Sequence, residues 1–115
     1  MRSKFFHTPS GNIRCGMLKA QGRWSMRCDI NQHDWRAPSG QTCREGDYGS
    51  SVGMGGKAAS RFVCVSDALN PGKALPYGHS LSYGPFFCKS KVKGLKCWNK
   101  NAHGWFLSRQ RYDLF

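Results

Sequence analysis

Six cysteines in a chain of 115 residues restrict this sequence more than any other feature. Their number is even, and no two show the close C-x2-C spacing of a zinc ribbon or a thioredoxin-like redox site, so the pattern reads as three disulfides. A chain of this length forms one domain, residues 1–115, around one core. With only 39% hydrophobic residues and 14 Gly, that core benefits from covalent restraint. Each bridge adds about 3 kcal/mol on the chain-entropy model, against about 5–15 kcal/mol of net stability for a whole domain. Disulfides last in oxidising compartments, so the count implies a secreted, extracellular protein. The opening Met1-Arg2-Ser3-Lys4-Phe5-Phe6 lacks the apolar stretch of an export signal, which suggests that a signal has been removed and that Met1 is an expression start. No run approaches the roughly 18 apolar residues of a transmembrane segment.

The patterning around the cysteines has period two. Ile13, Cys15 and Met17 alternate with Arg14 and Gly16, and Trp24, Met26, Cys28 and Ile30 alternate with Ser25, Arg27 and Asp29. That is the alternation of half-buried strands, and Lys19 to Arg23 supplies a short polar loop between them. Both cysteines fall on the inward faces, which makes Cys15–Cys28 a cross-strand bridge. A second hairpin repeats the arrangement, with Phe86 and Cys88 facing Leu95 and Cys97 across a Val92-Lys93-Gly94 turn. Its bridge is Cys88–Cys97, and Cys43–Cys64 is left by elimination among the fifteen possible pairings. The likeness of the two hairpins reflects shared strand chemistry rather than a repeat array.

Elsewhere the signals are weaker. Five Gly between Gly46 and Gly56 suggest an irregular loop, and Arg61 to Val65, apolar on both faces, suggests a central strand. Leu81-Ser82-Tyr83 reads as a short strand between prolines, and Ser108 as the cap of one helical turn reaching Arg111. The expected fold is all-β: a small disulfide-stapled β-barrel or β-sandwich-like domain built from hairpins.

Several segments carry a family resemblance: Phe6-His7-Thr8-Pro9-Ser10-Gly11-Asn12-Ile13-Arg14-Cys15, Arg27-Cys28-Asp29-Ile30 with Trp35, Gly94 to Asn99, and His103-Gly104-Trp105-Phe106-Leu107-Ser108-Arg109 with Tyr112 to Phe115. They are similar to a family of small exported proteins, mostly of actinobacteria, classed as a domain of unknown function. The resemblance covers both ends of the chain and leaves the Gly-rich middle weakly matched. It implies export, disulfides and a packed chain end, and brings no activity with it. Strong positive charge sets this chain apart from many such proteins, which implies a specialised target.

Lys and Arg number 18 against 6 Asp and Glu, a formal charge of +12. A field of this sign draws anionic partners: an anionic bacterial surface polymer or lipid first, nucleic acid second, or an acidic protein. From Ala68 onward eight basic residues face one acid, Asp113. Lys89, Lys91 and Lys93 share strand parity and form a stripe that Lys96 and Lys100 extend, with Trp98 and Trp105 beside them in sequence. Five cations within twelve residues repel one another, which favours a binding role over a merely solvated hairpin. The two tryptophans fit a core as well as they fit stacking on a ligand.

Enzymatic readings are weaker. His79 and His103, with Lys96 or Lys100 near them, are the candidate acid–base pair of a small extracellular nuclease or wall hydrolase, though each equally fits a surface or structural His. Gly53-Met54-Gly55-Gly56-Lys57-Ala58 is too short for a phosphate loop and has Ala58 where a hydroxyl is needed. No metal-ligand spacing is present and no cofactor is implied. The reading that follows is a secreted, cationic, non-enzymatic protein that binds an anionic component of the cell envelope, most concretely with antibacterial, bacteriocin-like activity. The alternatives are the nuclease or wall hydrolase, and a protein inhibitor that plugs another enzyme's cleft with the Gly46–Gly56 loop.

Overall fold

The computed structural model describes residues 1–39 and 42–115. Eleven strands form two sheets, with no helix among the described residues, and therefore none long and apolar enough to cross a membrane. The first sheet contains β1 (Arg2–His7), β2 (Ile13–Ala20), β3 (Arg23–Ile30), β4 (Ser51–Gly55), β5 (Arg61–Phe62) and β6 (Lys73–Ala74), in the order β5-β4-β3-β2-β1-β6. The second contains β7 (Ser80–Tyr83), β8 (Phe86–Lys91), β9 (Gly94–Trp98), β10 (Gly104–Leu107) and β11 (Tyr112–Leu114), in the order β11-β10-β9-β8-β7. It is an antiparallel meander.

Alternation sets the register of both cysteine hairpins. Cys15 stands opposite Cys28, flanked by the pairs Ile13–Ile30 and Met17–Met26, and Cys88 stands opposite Cys97. Slipping either hairpin by one residue would turn its apolar set outward. The β2–β3 loop is Gln21-Gly22, with φ of 52° and 75°, the pair of left-handed residues that a two-residue turn matched to strand twist requires. The bridges Cys15–Cys28 and Cys88–Cys97 join residues 4.1 Å apart at Cα, and Cys43–Cys64 spans 5.8 Å. No cysteine is free.

The sheets pack face to face, and the two hairpin bridges meet at the centre of the interface. Sulfur atoms of Cys15, Cys28 and Cys97 lie within 4.8 Å of one another. Being bonded in disulfides, they offer no thiolate to a metal. Around them are Phe6, Met17, Ile30, Val52, Phe86, Leu95, Trp105 and Leu107, all buried. The barrel-or-sandwich alternative resolves as a two-layer sandwich.

Three expectations are corrected. Within the Gly46–Gly56 stretch, Ser51–Gly55 is strand β4, and Ser51 to Met54 are buried. Its glycines answer a packing demand: a Cβ on Gly53 would lie 3.1 Å from Val63 Cγ1. Arg61–Phe62 is a two-residue strand at the edge of its sheet instead of a central one, because the chain then leaves the plane. From Val63 to Asn70 it runs over the outer face of the first sheet as a strap. Val63 lies over Gly53, and Leu69 with the Phe5 ring lies over Gly16. Arg27 pins the strap, donating to Asp67 Oδ1 at 2.9 Å and the Asp67 carbonyl at 2.8 Å while holding Asp29 at 2.7–2.8 Å. Finally, Ser108 closes the β10–β11 hairpin instead of capping a helix. Its Oγ accepts from the Arg111 amide at 3.1 Å, and its own amide donates to the Arg111 carbonyl at 3.0 Å.

Candidate functional site

The strap leaves the two outer faces of the sandwich unequal. The first sheet is crossed by the strap, whereas the trough on the second is lined only by β8, β9, β10 and the adjoining turns. Strand alternation decides what stands there. Cys88 and Ser90 point into the core, so Lys89 and Lys91 point out, and Leu95 and Cys97 point in, so Lys96 and Trp98 point out.

Antiparallel register then places Lys89 directly opposite Lys96, and Lys96 opposite Phe106 on β10. Like charges facing each other across a ladder destabilise a sheet. The one carboxylate on this half of the chain, Asp113, stands opposite Phe106 on β11 and is ion-paired with Arg111. It is paired with Arg111 on the same face, and the lysine pair has no acidic partner among the described residues. Lys91 extends the charge toward the β8–β9 turn; β8 ends there, so Lys93 stands in the turn and not in the strand stripe expected for it, while still lining the trough. The face also has an aromatic component. Phe87 and Trp98 stack at 5.9 Å and 21°, Lys96 Nζ lies 5.6 Å from the Trp98 ring, and the Arg111 guanidinium lies 4.3 Å from the Phe106 ring. Cations held over rings are fixed in position while remaining exposed. The trough they enclose measures about 640 Å³.

Not every predicted site residue belongs to it. Trp105 is 0% exposed and faces the disulfides, because its strand position is opposite Cys97. It is a core residue and touches no ligand on this face. Lys100 is exposed in the β9–β10 turn and does not line the trough. His79 and His103 do not form a pair. The amide of Ser90 donates to the His79 carbonyl, and the amide of Asn99 to the His103 carbonyl. Since Ser90 pairs with Leu95, the two histidines stand near opposite ends of β9, about 13 Å apart along the strand direction at about 3.3 Å per residue. An acid and a base serving one phosphodiester need hydrogen-bond reach of the same atoms, and this topology separates them. The other histidines are structural: His7 Nδ1 meets the Pro71 carbonyl at 2.7 Å, and His33 bridges the Trp35 carbonyl and Ser50 Oγ.

Sequence reasoning passed over Arg111, Phe87 and Phe106. The signal for the two aromatics was present, since each occupies the polar parity of a strand whose alternate residues are buried.

A second concavity, of about 440 Å³, lies at the end of the sandwich where the β8–β9 and β10–β11 turns approach the β1–β2 turn. Lys91, Lys93, Gly94, Ser108 and Gln110 line both this groove and the trough, so the two adjoin. The β1–β2 turn is Thr8-Pro9-Ser10-Gly11-Asn12. It is held by the Thr8 amide on the Ile13 carbonyl and by the Asn12 side chain, which donates to the Gln32 carbonyl and accepts from the Gln32 amide.

No curated protein and no solved structure matches the chain. A family model does, along its full length, residues 1–115. The chain thus belongs to the family of unknown function DUF6636.

Proposed function

We propose that this protein is an extracellular binding domain whose second sheet holds an anionic polymer of the bacterial cell envelope. The observation that carries the reading is the Lys89–Lys96 pair, directly opposed on a bare sheet face whose one carboxylate is already taken by Arg111. A domain that needed only solubility would disperse its cations or pair them. Here like charges are held together beside partly exposed aromatic rings, at a cost to the sheet that a bound polyanion removes.

Secretion is part of the proposal, and three disulfides support it. An envelope polymer is favoured over nucleic acid because Phe87, Trp98 and Phe106 are only partly exposed. Bases splayed from a single strand are gripped by more prominent rings. Growth inhibition of susceptible bacteria is the most concrete activity this binding would produce.

The test is charge relocation. Lys89→Glu/Lys96→Glu is compared with Lys73→Glu/Arg23→Glu, which changes the net charge equally using exposed residues of the first sheet. Binding to a phosphate-bearing wall polymer is expected to fall at least tenfold in the first variant and less than threefold in the second. Equal losses would reduce the effect to net charge and overturn the assignment of the face.

A further inference from the structure

The groove at the end of the sandwich has a different chemistry from the trough it joins. We propose that it is a sugar-recognition site, taking one glycosyl unit that carries an anionic group. Its attribution to the polymer on the sheet face rests on the reading above.

The walls are already built. The Asn12 amide ties the β1–β2 turn to Gln32 with two hydrogen bonds of 2.9 and 2.7 Å. On the opposite wall the Arg109 carbonyl accepts from the Asp34 amide, and the Ser108 carbonyl accepts from Trp35 Nε1, each at 2.8 Å. Loops fixed in this way need no ordering when a ligand arrives, and that missing cost allows a small polar ligand to bind.

Side chains that would face a ligand are left uncommitted. Those of Asn31, Gln32 and Gln110 are exposed and make no hydrogen bond to another described residue. A carboxamide donates and accepts at once, which suits the paired donor and acceptor character of adjacent sugar hydroxyls. The rim is apolar where a ring would need it. Tyr77 and Val92, 45% and 81% exposed, are two of the four large hydrophobic residues exposed in the described chain, and both line this groove. An aromatic platform beside amides offers the C–H face of a pyranose a surface to lie on. Lys91 and Lys93 supply cations for a phosphate or carboxylate substituent, and Arg109, 3.9 Å from Asp34 Oδ1, stands beside them. The volume of about 440 Å³ falls within the range of about 300–1,000 Å³ of small-ligand sites.

Because Lys91 and Lys93 line both concavities, a chain of alternating sugar and anionic groups laid along β8 and β9 delivers a sugar into the groove. The face then contributes charge, and the groove selectivity.

Glucose 6-phosphate is the probe, with glucose and inorganic phosphate as comparators, followed by backbone amide shifts in solution. The expected result is shifts at Ser10 to Asn12, Asn31, Gln32, Arg109 and Gln110, with affinity at least fivefold above either comparator. Tyr77→Ala and Gln32→Ala, both at exposed positions, should each weaken it severalfold. Lys89→Glu/Lys96→Glu should leave it within twofold while weakening polymer binding at least tenfold, which separates failure of the face from failure of the groove. If wild-type protein holds the sugar phosphate here but no polymer on the face, the face reading fails and the site stands. Three results would overturn the site: equal affinity for inorganic phosphate, shifts confined to Lys89, Lys96 and Trp98, or no shifts at millimolar sugar phosphate.

Discussion

Replacing Cys15 and Cys28 together by Ala should cost more stability than replacing Cys43 and Cys64, although the second pair closes the longer loop. The bridges span 13, 21 and 9 positions for Cys15–Cys28, Cys43–Cys64 and Cys88–Cys97. Chain entropy alone gives about 2.9, 3.3 and 2.6 kcal/mol, so on that ground Cys43–Cys64 matters most. Packing reverses the order. Cys15, Cys28, Cys88 and Cys97 are 0–1% exposed and touch across the sheet interface, whereas Cys64 is exposed. Removing two sulfurs from the centre of the core leaves space that neighbouring strands cannot fill without breaking register, at about 1 kcal/mol per methylene-sized group. The expected losses are therefore about 5 kcal/mol for Cys15→Ala/Cys28→Ala, about 4.5 for Cys88→Ala/Cys97→Ala and about 3 for Cys43→Ala/Cys64→Ala. Urea unfolding followed by tryptophan fluorescence measures all three, with the slope checked for constancy. A loss at Cys43–Cys64 equal to or larger than that at Cys15–Cys28 would refute the claim that the hairpin bridges act as core.

The strap should confer an acid limb on stability. Arg27, by hydrogen bond and charge, holds the Asp67 carboxyl below its usual range. Its contribution is present above the ordinary Asp value of about 3.9 and is lost as pH falls through the lowered folded value. Asp67→Asn should flatten the drop in thermal midpoint between neutral pH and about pH 2, and an unchanged acid limb would count against the strap's ion pair. Trp105 separates size from polarity. Its buried Nε1 has no hydrogen-bond partner among the described residues, so Trp105→Phe should cost well below the ~3–5 kcal/mol of Trp105→Ala; similar losses in denaturant melts would show that the indole nitrogen is satisfied after all. The double variant His79→Ala/His103→Ala should bind wall polymer within twofold of wild type, and a larger loss would return those residues to the site.

Local pattern and long-range arrangement were legible to different degrees. Alternation around Cys15, Cys28, Cys88 and Cys97 was enough to locate both hairpins, because period-two burial leaves a local trace. Strand β1 left little, since Arg2 to Lys4 are all exposed. Strand β4 was hidden by its own packing: the glycines that make it look like a loop are those that let the strap approach. Lys89 and Lys91 were found by parity, Lys93 shared that parity in sequence but lies beyond the end of β8, and Trp105 was misplaced because closeness in sequence to the lysines says nothing about which face a strand residue occupies. The end groove draws on residues from Thr8 to Gln110; bringing them together is a property of the sandwich, which no local window contains.

The salt dependence of polymer binding distinguishes contacts at Lys89 and Lys96 from a diffuse attraction to the net charge. Each phosphate neutralised on a flexible single chain contributes about 0.7 to the slope of log affinity against log salt concentration. Losing the Lys89 and Lys96 contacts should therefore reduce the slope by about 1.4 in Lys89→Glu/Lys96→Glu, leaving the slope of Lys73→Glu/Arg23→Glu near that of the wild type. An unchanged slope in the first variant, or an equal fall in both, would show that the polymer is held elsewhere and that the bare lysine face is not its binding surface.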